Sequence, residues 1–191
     1  MPVKKKKKKG KKPRGKSKGS ANERDVKRLI LKAFKPFGIT ENDAFRSILS
    51  GGHQESFGDI SLSSGLAKLF PFGVEAKFYR KINLYALFSK WDKIIVSSHF
   101  KEWWKQACDG TAKCKHLYPL LVFKGNNQDH LCMVYAHHLC YVASNKKNPL
   151  VKREIPHFIH YTSEGEVWIL KFSVLLKLLV NKAKKGQYDG K

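Results

Sequence analysis

Acidic side chains are scarce in this sequence: its 191 residues hold 15 Asp and Glu against 38 Lys and Arg, a formal net charge of +23. An imbalance of that size exceeds what solubility requires and predicts a polyanionic partner. Long apolar runs are lacking as well. The stretch at 174–180 is broken by Lys177 and is far too short to span a bilayer, so no membrane partner is expected. The N-terminus opens on lysines instead of an apolar segment, which excludes a secretory leader and predicts a product retained in the cell that makes it. No C-x-x-C pair occurs. Cys108, Cys114, Cys132 and Cys140 are spaced by 6, 18 and 8 positions, which matches no usual zinc pattern, and reduced thiols are expected. A phosphate loop of the G-x-x-x-x-G-K-S/T type is also missing, so no nucleotide cofactor is expected.

Apolar residues are plentiful enough for folding. They make up 42% of the chain and aromatics 12%, in a length that suits one domain with an appendage. The appendage is residues 1–20, a low-complexity stretch with eleven basic residues and no acid, expected to be disordered. Within it Lys4, Lys5, Lys6, Lys7, Lys8, Lys9, Lys11, Lys12 and Arg14 form a nucleic-acid-binding cation that holds phosphate backbones without reading sequence. Residues 21–191, which carry the remaining net charge of +12, are expected to form a single domain with a C-terminal extension from about 126.

Within that domain, Val26, Leu29, Ile30, Ala33 and Phe34 recur at helical spacing and predict an amphipathic helix, with Asn22 as N-cap and Pro36 and Gly38 as the stop. Residues 58–63 (GDISLS) and 72–78 (FGVEAKF) alternate apolar and polar side chains. They predict two strands joined by a loop containing Gly65 and Pro71. Residues 99–112 read as a helix, and 118–123 (YPLLVF) as a central strand covered on both faces. One or two further strands are expected in 131–142, a hairpin around Ser163-Glu164-Gly165, and a short basic helix over 174–185. This order indicates an α/β or α+β fold, a mixed sheet flanked by helices.

The residues that carry chemistry are Asp59 and the Glu75-Ala76-Lys77 triplet, sixteen positions apart on strands placed to pair. Pairing in register brings two carboxylates and an ammonium to one face, a donor set for a hard cation such as Mg2+ or Mn2+. Hydrolysis of a phosphodiester needs such help, because its charge repels a nucleophile and its alkoxide leaves poorly. An E-x-K pair alone is usually a solvated ion pair. Weight comes from the acid that opens the preceding strand, from Glu23 at the end of the apolar helical stripe, and from the Gln-bearing helix and buried strand that follow.

In this order and spacing, from about residue 22 to about residue 125, the chain resembles the PD-(D/E)xK nuclease superfamily. Within it the likeness is to the Holliday-junction-resolvase-like nucleases of archaea and phages. The resemblance implies a restriction-endonuclease-like core. It makes Glu23 the acid of the first helix, Asp59 the Asp of the first motif, Glu75 and Lys77 the E-x-K, and Gln106 the Gln of the following helix. Arg46 and Ser50 resemble the Arg and Ser-Gly segment ahead of the acidic motif, where they would contact nucleic acid. Gly58 stands where the family name has Pro, the segment between Ser50 and Asp59 is longer than the pattern, and no family motif follows Gly125.

The expectation is a magnesium-dependent DNA endonuclease acting on branched DNA such as Holliday junctions. Asp59 and Glu75 would bind the metal with Glu23 in support, Lys77 would assist the attacking water and Gln106 would position it. Paired cuts at a four-way junction would require a homodimer. The setting would be cytoplasm or nucleoid, in a phage-infected host. Two other readings stay open: a noncatalytic nucleic-acid-binding or packaging protein, and a restriction- or repair-type nuclease on ordinary duplex or RNA. Asp43 and Glu55 are spare acids that would replace Asp59 or Glu23 under a different register. Most of Trp91, Trp103, Trp104 and Trp168 are expected in the core, and His53, His137 and His138 at the surface or in packing.

Overall fold

The run at 118–124 buries side chains on both faces and therefore has to lie in the middle of a covered sheet. A computed structural model describes residues 16–47, 58–80, 98–112, 114, 117–143, 157–162 and 165–188. Its elements are α1 (Lys16–Phe34), β1 (Ala44–Arg46), β2 (Ile60–Leu62), α2 (Ser64–Leu69), β3 (Phe72–Phe78), α3 (Ser98–Ala112), β4 (Tyr118–Lys124), β5 (Leu131–Tyr135), α4 (Ala136–Ala143), β6 (His157–Thr162), β7 (Gly165–Lys171) and α5 (Phe172–Tyr188). The strands form one seven-stranded sheet in the order β1-β2-β3-β4-β5-β7-β6. Only β3 and β4 pair in parallel and every other neighbour pair is antiparallel, so the sheet is mixed, as expected. This α/β arrangement is that of a restriction-endonuclease-like core.

The two faces of the sheet are covered unequally. On the first, Phe72, Val74 and Ala76 of β3 join Leu120 and Val122 of β4 and Trp168 of β7. They pack under Val26, Ile30 and Phe34 of α1, Leu66 of α2, Leu139 of α4 and Leu175 of α5. On the second, Leu121, Phe123, Met133, Tyr135, Val167 and Ile169 pack under Phe100, Trp104 and Ala107 of α3. Side chains alternate along β3, so Glu75 and Lys77 point to the second face. The parallel register sets them level with Leu121 and Phe123. The charged pair therefore shares its side of the sheet with α3.

Several expectations need correcting. Helix α1 begins at Lys16, so the last residues of the stretch expected to be disordered are helical, and Asn22 lies inside the helix. Asn22 is not a cap because its amide is buried against His130, with 3.0 Å between Asn22 Oδ1 and His130 Nε2. The connection between β2 and β3 is not a plain loop. Ser63 caps α2 by accepting from the Leu66 N–H at 3.2 Å, and Leu66 and Phe70 drop into the core. Residues 131–142 hold one strand and then a helix, because the burial spacing switches at Ala136 to Ala136, Leu139 and Val142. The expected stop of α1 holds: the helix ends at Phe34 and Gly38 takes the left-handed conformation at φ 80°. The hairpin also forms, as the antiparallel pair β6 and β7.

Strands β5 and β7 and helices α4 and α5 all come from the segment after Gly125, yet their apolar residues share the core with α1 and β3. Leu175→Ala, at a fully buried position of α5, is therefore expected to remove roughly 2–5 kcal/mol. Urea denaturation should show this as one shifted cooperative transition; a separate early transition would contradict the shared core.

Candidate active site

The site is built where β2 begins and its ladder with β3 is extended by a side chain. Ile60 is the residue of β2 paired with Val74. One residue earlier, the Asp59 N–H donates to the Val74 carbonyl at 2.8 Å, and the Ala76 N–H donates to Asp59 Oδ2 at 2.8 Å. The carboxylate thus takes the place of a backbone acceptor. On its other side the Asp59 carbonyl accepts from the Ser47 N–H at 2.9 Å. Gly58 makes this crossing possible. Its φ is 101°, and a Cβ there would lie 2.4 Å from the Val74 carbonyl oxygen. Glycine is the residue that fits both the left-handed backbone and the contact.

Glu75 and Lys77 are held together in an ion pair of 2.5 Å between Lys77 Nζ and Glu75 Oε1, both side chains being largely buried. Glu23, carried by α1, is also largely buried. Arg46 of β1 brings Nε to 2.7 Å and Nη2 to 2.6 Å from the same oxygen, Glu23 Oε2. Arg46 Nη2 further donates to Ser20 Oγ at 3.3 Å. The sequence reading assigned Arg46 to nucleic acid; the structure places it against Glu23, and Ser20 is a partner that sequence did not single out. Gln106 is exposed on α3. Trp103 and Gly110 share its helix face; Trp103 meets Tyr79 at 5.8 Å between ring centroids, and Gly110 lies near the Gly58 nitrogen. Gln106 falls between these two positions along α3.

Electrostatics couple the acids. Burial pushes the Asp59 carboxyl up to about 6, the Glu75 charge adds to this and Glu23 adds a little more, against the Ala76 N–H and the Lys77 ammonium. A site in which carboxylates oppose one another's charge under partial burial suits a divalent cation. Among the described residues no three His, Cys, Asp or Glu side chains stand together as a complete metal shell. A magnesium ion takes one or two carboxylates and fills its other positions with water and phosphate, which Asp59 and Glu75 can satisfy.

The remaining candidates are placed elsewhere. Asp43 closes a capping box with Thr40 and accepts from Ser63 Oγ at 2.6 Å, so it ties β1 to the start of α2 and is committed there. Those hydrogen bonds hold its carboxyl below the usual range. His138 packs between Tyr118 and Tyr135, and burial lowers it to about 4. Trp104 and Trp168 are core residues. Ser50, Glu55, His53, Trp91 and the basic residues from Lys4 to Arg14 lie outside the described residues.

A family model described as "Phage putative PDDEXK endonuclease" matches residues 14–184. The match runs on past Gly125 to residue 184, through a segment where no motif was legible. No curated protein and no solved structure matches the chain.

Two expectations follow from this geometry. The Asp59 pKa is raised on folding, so between about 4 and 6 the unfolded chain loses its proton before the native one does. Stability therefore falls as pH rises through that window, and the cost is complete above about 6. Asp59→Asn keeps the acceptor for Ala76 and removes the charge. Without divalent ions it should be more stable than wild type at pH 7.5, by roughly 1–3 kcal/mol, and should converge with it below pH 4 in thermal melts. Gly58→Ala should cost more than Gly38→Ala, since both positions have positive φ but only at Gly58 does a backbone carbonyl stand in the way. Parallel urea titrations compare the two, and equal losses would remove the steric account of Gly58.

Proposed function

Because this chain belongs to the phage PDDEXK endonuclease family, within the PD-(D/E)xK nuclease superfamily, we propose that it hydrolyses DNA phosphodiester bonds with magnesium or manganese held by Asp59 and Glu75, Glu23 in support. The observation that carries this reading is the Asp59 carboxylate held at 2.8 Å by the N–H of Ala76, the residue between Glu75 and Lys77 in sequence, where the Glu75 charge helps to raise it. When bound, the cation supplies polarisation of the phosphoryl oxygens and a lower pKa for water.

The protein's own groups supply the rest. Ala76 N–H fixes one Asp59 oxygen and leaves the other to face the ligand side. Lys77, beside Glu75, offsets phosphate charge and orients the attacking water. Gln106, on the helix that covers this face of the sheet, positions that water. Arg46 neutralises Glu23 and keeps further N–H donors for the DNA backbone. The lysine-rich N-terminal segment adds affinity that weakens with salt. Branched DNA is the substrate we propose, on the resolvase-like order of Glu23, Arg46, Asp59, Glu75 and Lys77. Paired cuts would need a homodimer, acting in the cytoplasm or nucleoid of an infected host.

Nicking of labelled junction, flap and duplex DNA tests this. Wild type should cut with Mg2+ and stop in EDTA, and Glu75→Ala should lose about 10²-fold or more. Wild-type activity in Glu75→Ala would remove the assignment. Binding without cutting under any divalent ion would favour the packaging reading.

A further inference from the structure

A second feature lies away from the acids. At the start of β3 and β4, a groove of about 700 Å³ opens between α2, α4 and α5, lined by Lys68, Pro71, Tyr118, Tyr141, Leu179 and Lys182 among others. Glu75 and Lys77 stand three and five residues further along β3, roughly 10–17 Å away, and on the opposite face of the sheet.

We propose that this groove binds an unpaired nucleotide of a nucleic-acid strand, its base stacked on Tyr141 and its flanking phosphates at Lys68 and Lys182. Tyr141 is 73% exposed on α4. Its ring is held from behind by Tyr118, 6.1 Å away and edge-on, and Tyr118 in turn lies 4.2 Å from the His138 ring. An aromatic that is both open to solvent and braced offers a stacking surface at little entropic cost. Lysines from two different helices line the groove with it, and among the described residues no carboxylate does. Burial lowers the Lys182 ammonium without any described acid to compensate, a deficit that a phosphate would relieve. The volume suits one nucleotide. A second copy of this chain, at +23, would bring like charge to the same lysines, whereas a strand brings the opposite charge. The inference rests on the chain acting on nucleic acid, but its test involves no cutting.

The test is fluorescence anisotropy with the full chain in EDTA, using a labelled twelve-nucleotide oligo-dT and an abasic strand of the same length. The lysine-rich N-terminal segment contributes equally to both probes, so the difference between them isolates stacking. Tyr141→Ala should weaken oligo-dT binding roughly five- to hundredfold and leave the abasic strand unchanged, while Tyr141→Phe should bind like wild type. Lys68→Gln combined with Lys182→Gln should weaken both probes and lower the salt slope by about 1.4. Wild-type affinity for oligo-dT in Tyr141→Ala would overturn the proposal. Equal losses on both probes would do the same, as would a lowered oligomeric state in sedimentation with oligo-dT affinity unchanged. Competition by thymidine monophosphate as effective as that by unlabelled oligo-dT would overturn the assignment to a strand. A nuclease reading that failed through Glu75→Ala would leave these outcomes intact.

Discussion

The arrangement depends on one hydrogen bond, from the Ala76 N–H to the Asp59 carboxylate. It makes an acid part of the sheet where a backbone carbonyl would otherwise sit. The carboxylate is thereby half-buried and fixed at one oxygen, close enough to Glu75 to feel its charge. The crossing that puts it there requires Gly58 in a left-handed conformation against Val74. The sheet stabilises Asp59 in position while disfavouring its charge. That conflict suits the metal-binding role proposed for Asp59: a fixed oxygen whose ionisation a ligand would complete.

Cations of the protein already answer the other two acids. Arg46 engages Glu23, and Lys77 engages Glu75. Both acids are largely buried, so each would destabilise the fold if left without a counter-charge. The internal pairs keep the site folded before any ligand arrives. They also set an ammonium and a guanidinium beside the acids, so in the proposed reaction the groups that neutralise the acids would be available to a substrate phosphate.

Much of this was legible because it follows from local periodicity. The two-residue alternation of FGVEAKF places Glu75 and Lys77 on one face, and the doubly apolar run YPLLVF marks the central strand. Asp59 was legible as the acid opening the strand before. What was not legible depends on distant partners. Asn22 looks like a cap until His130, from the turn before β5, is brought against it. Arg46 looks like a surface cation until α1 delivers Glu23 and Ser20. The helix at 136–143 was hidden because an apolar run continues unbroken from β5 and only its spacing changes. The groove at Tyr141 was invisible because it gathers residues from three helices, one strand and the turn at Pro71.

The rim of the sheet nearest these acids is β1, a strand of three residues. A catalytic cleft at a sheet border ordinarily leaves a row of unsatisfied amides and carbonyls, a template onto which another chain can zip. So short a border offers too little ladder for such growth. The proposed site can stay accessible at an edge without inviting self-templated aggregation along β1.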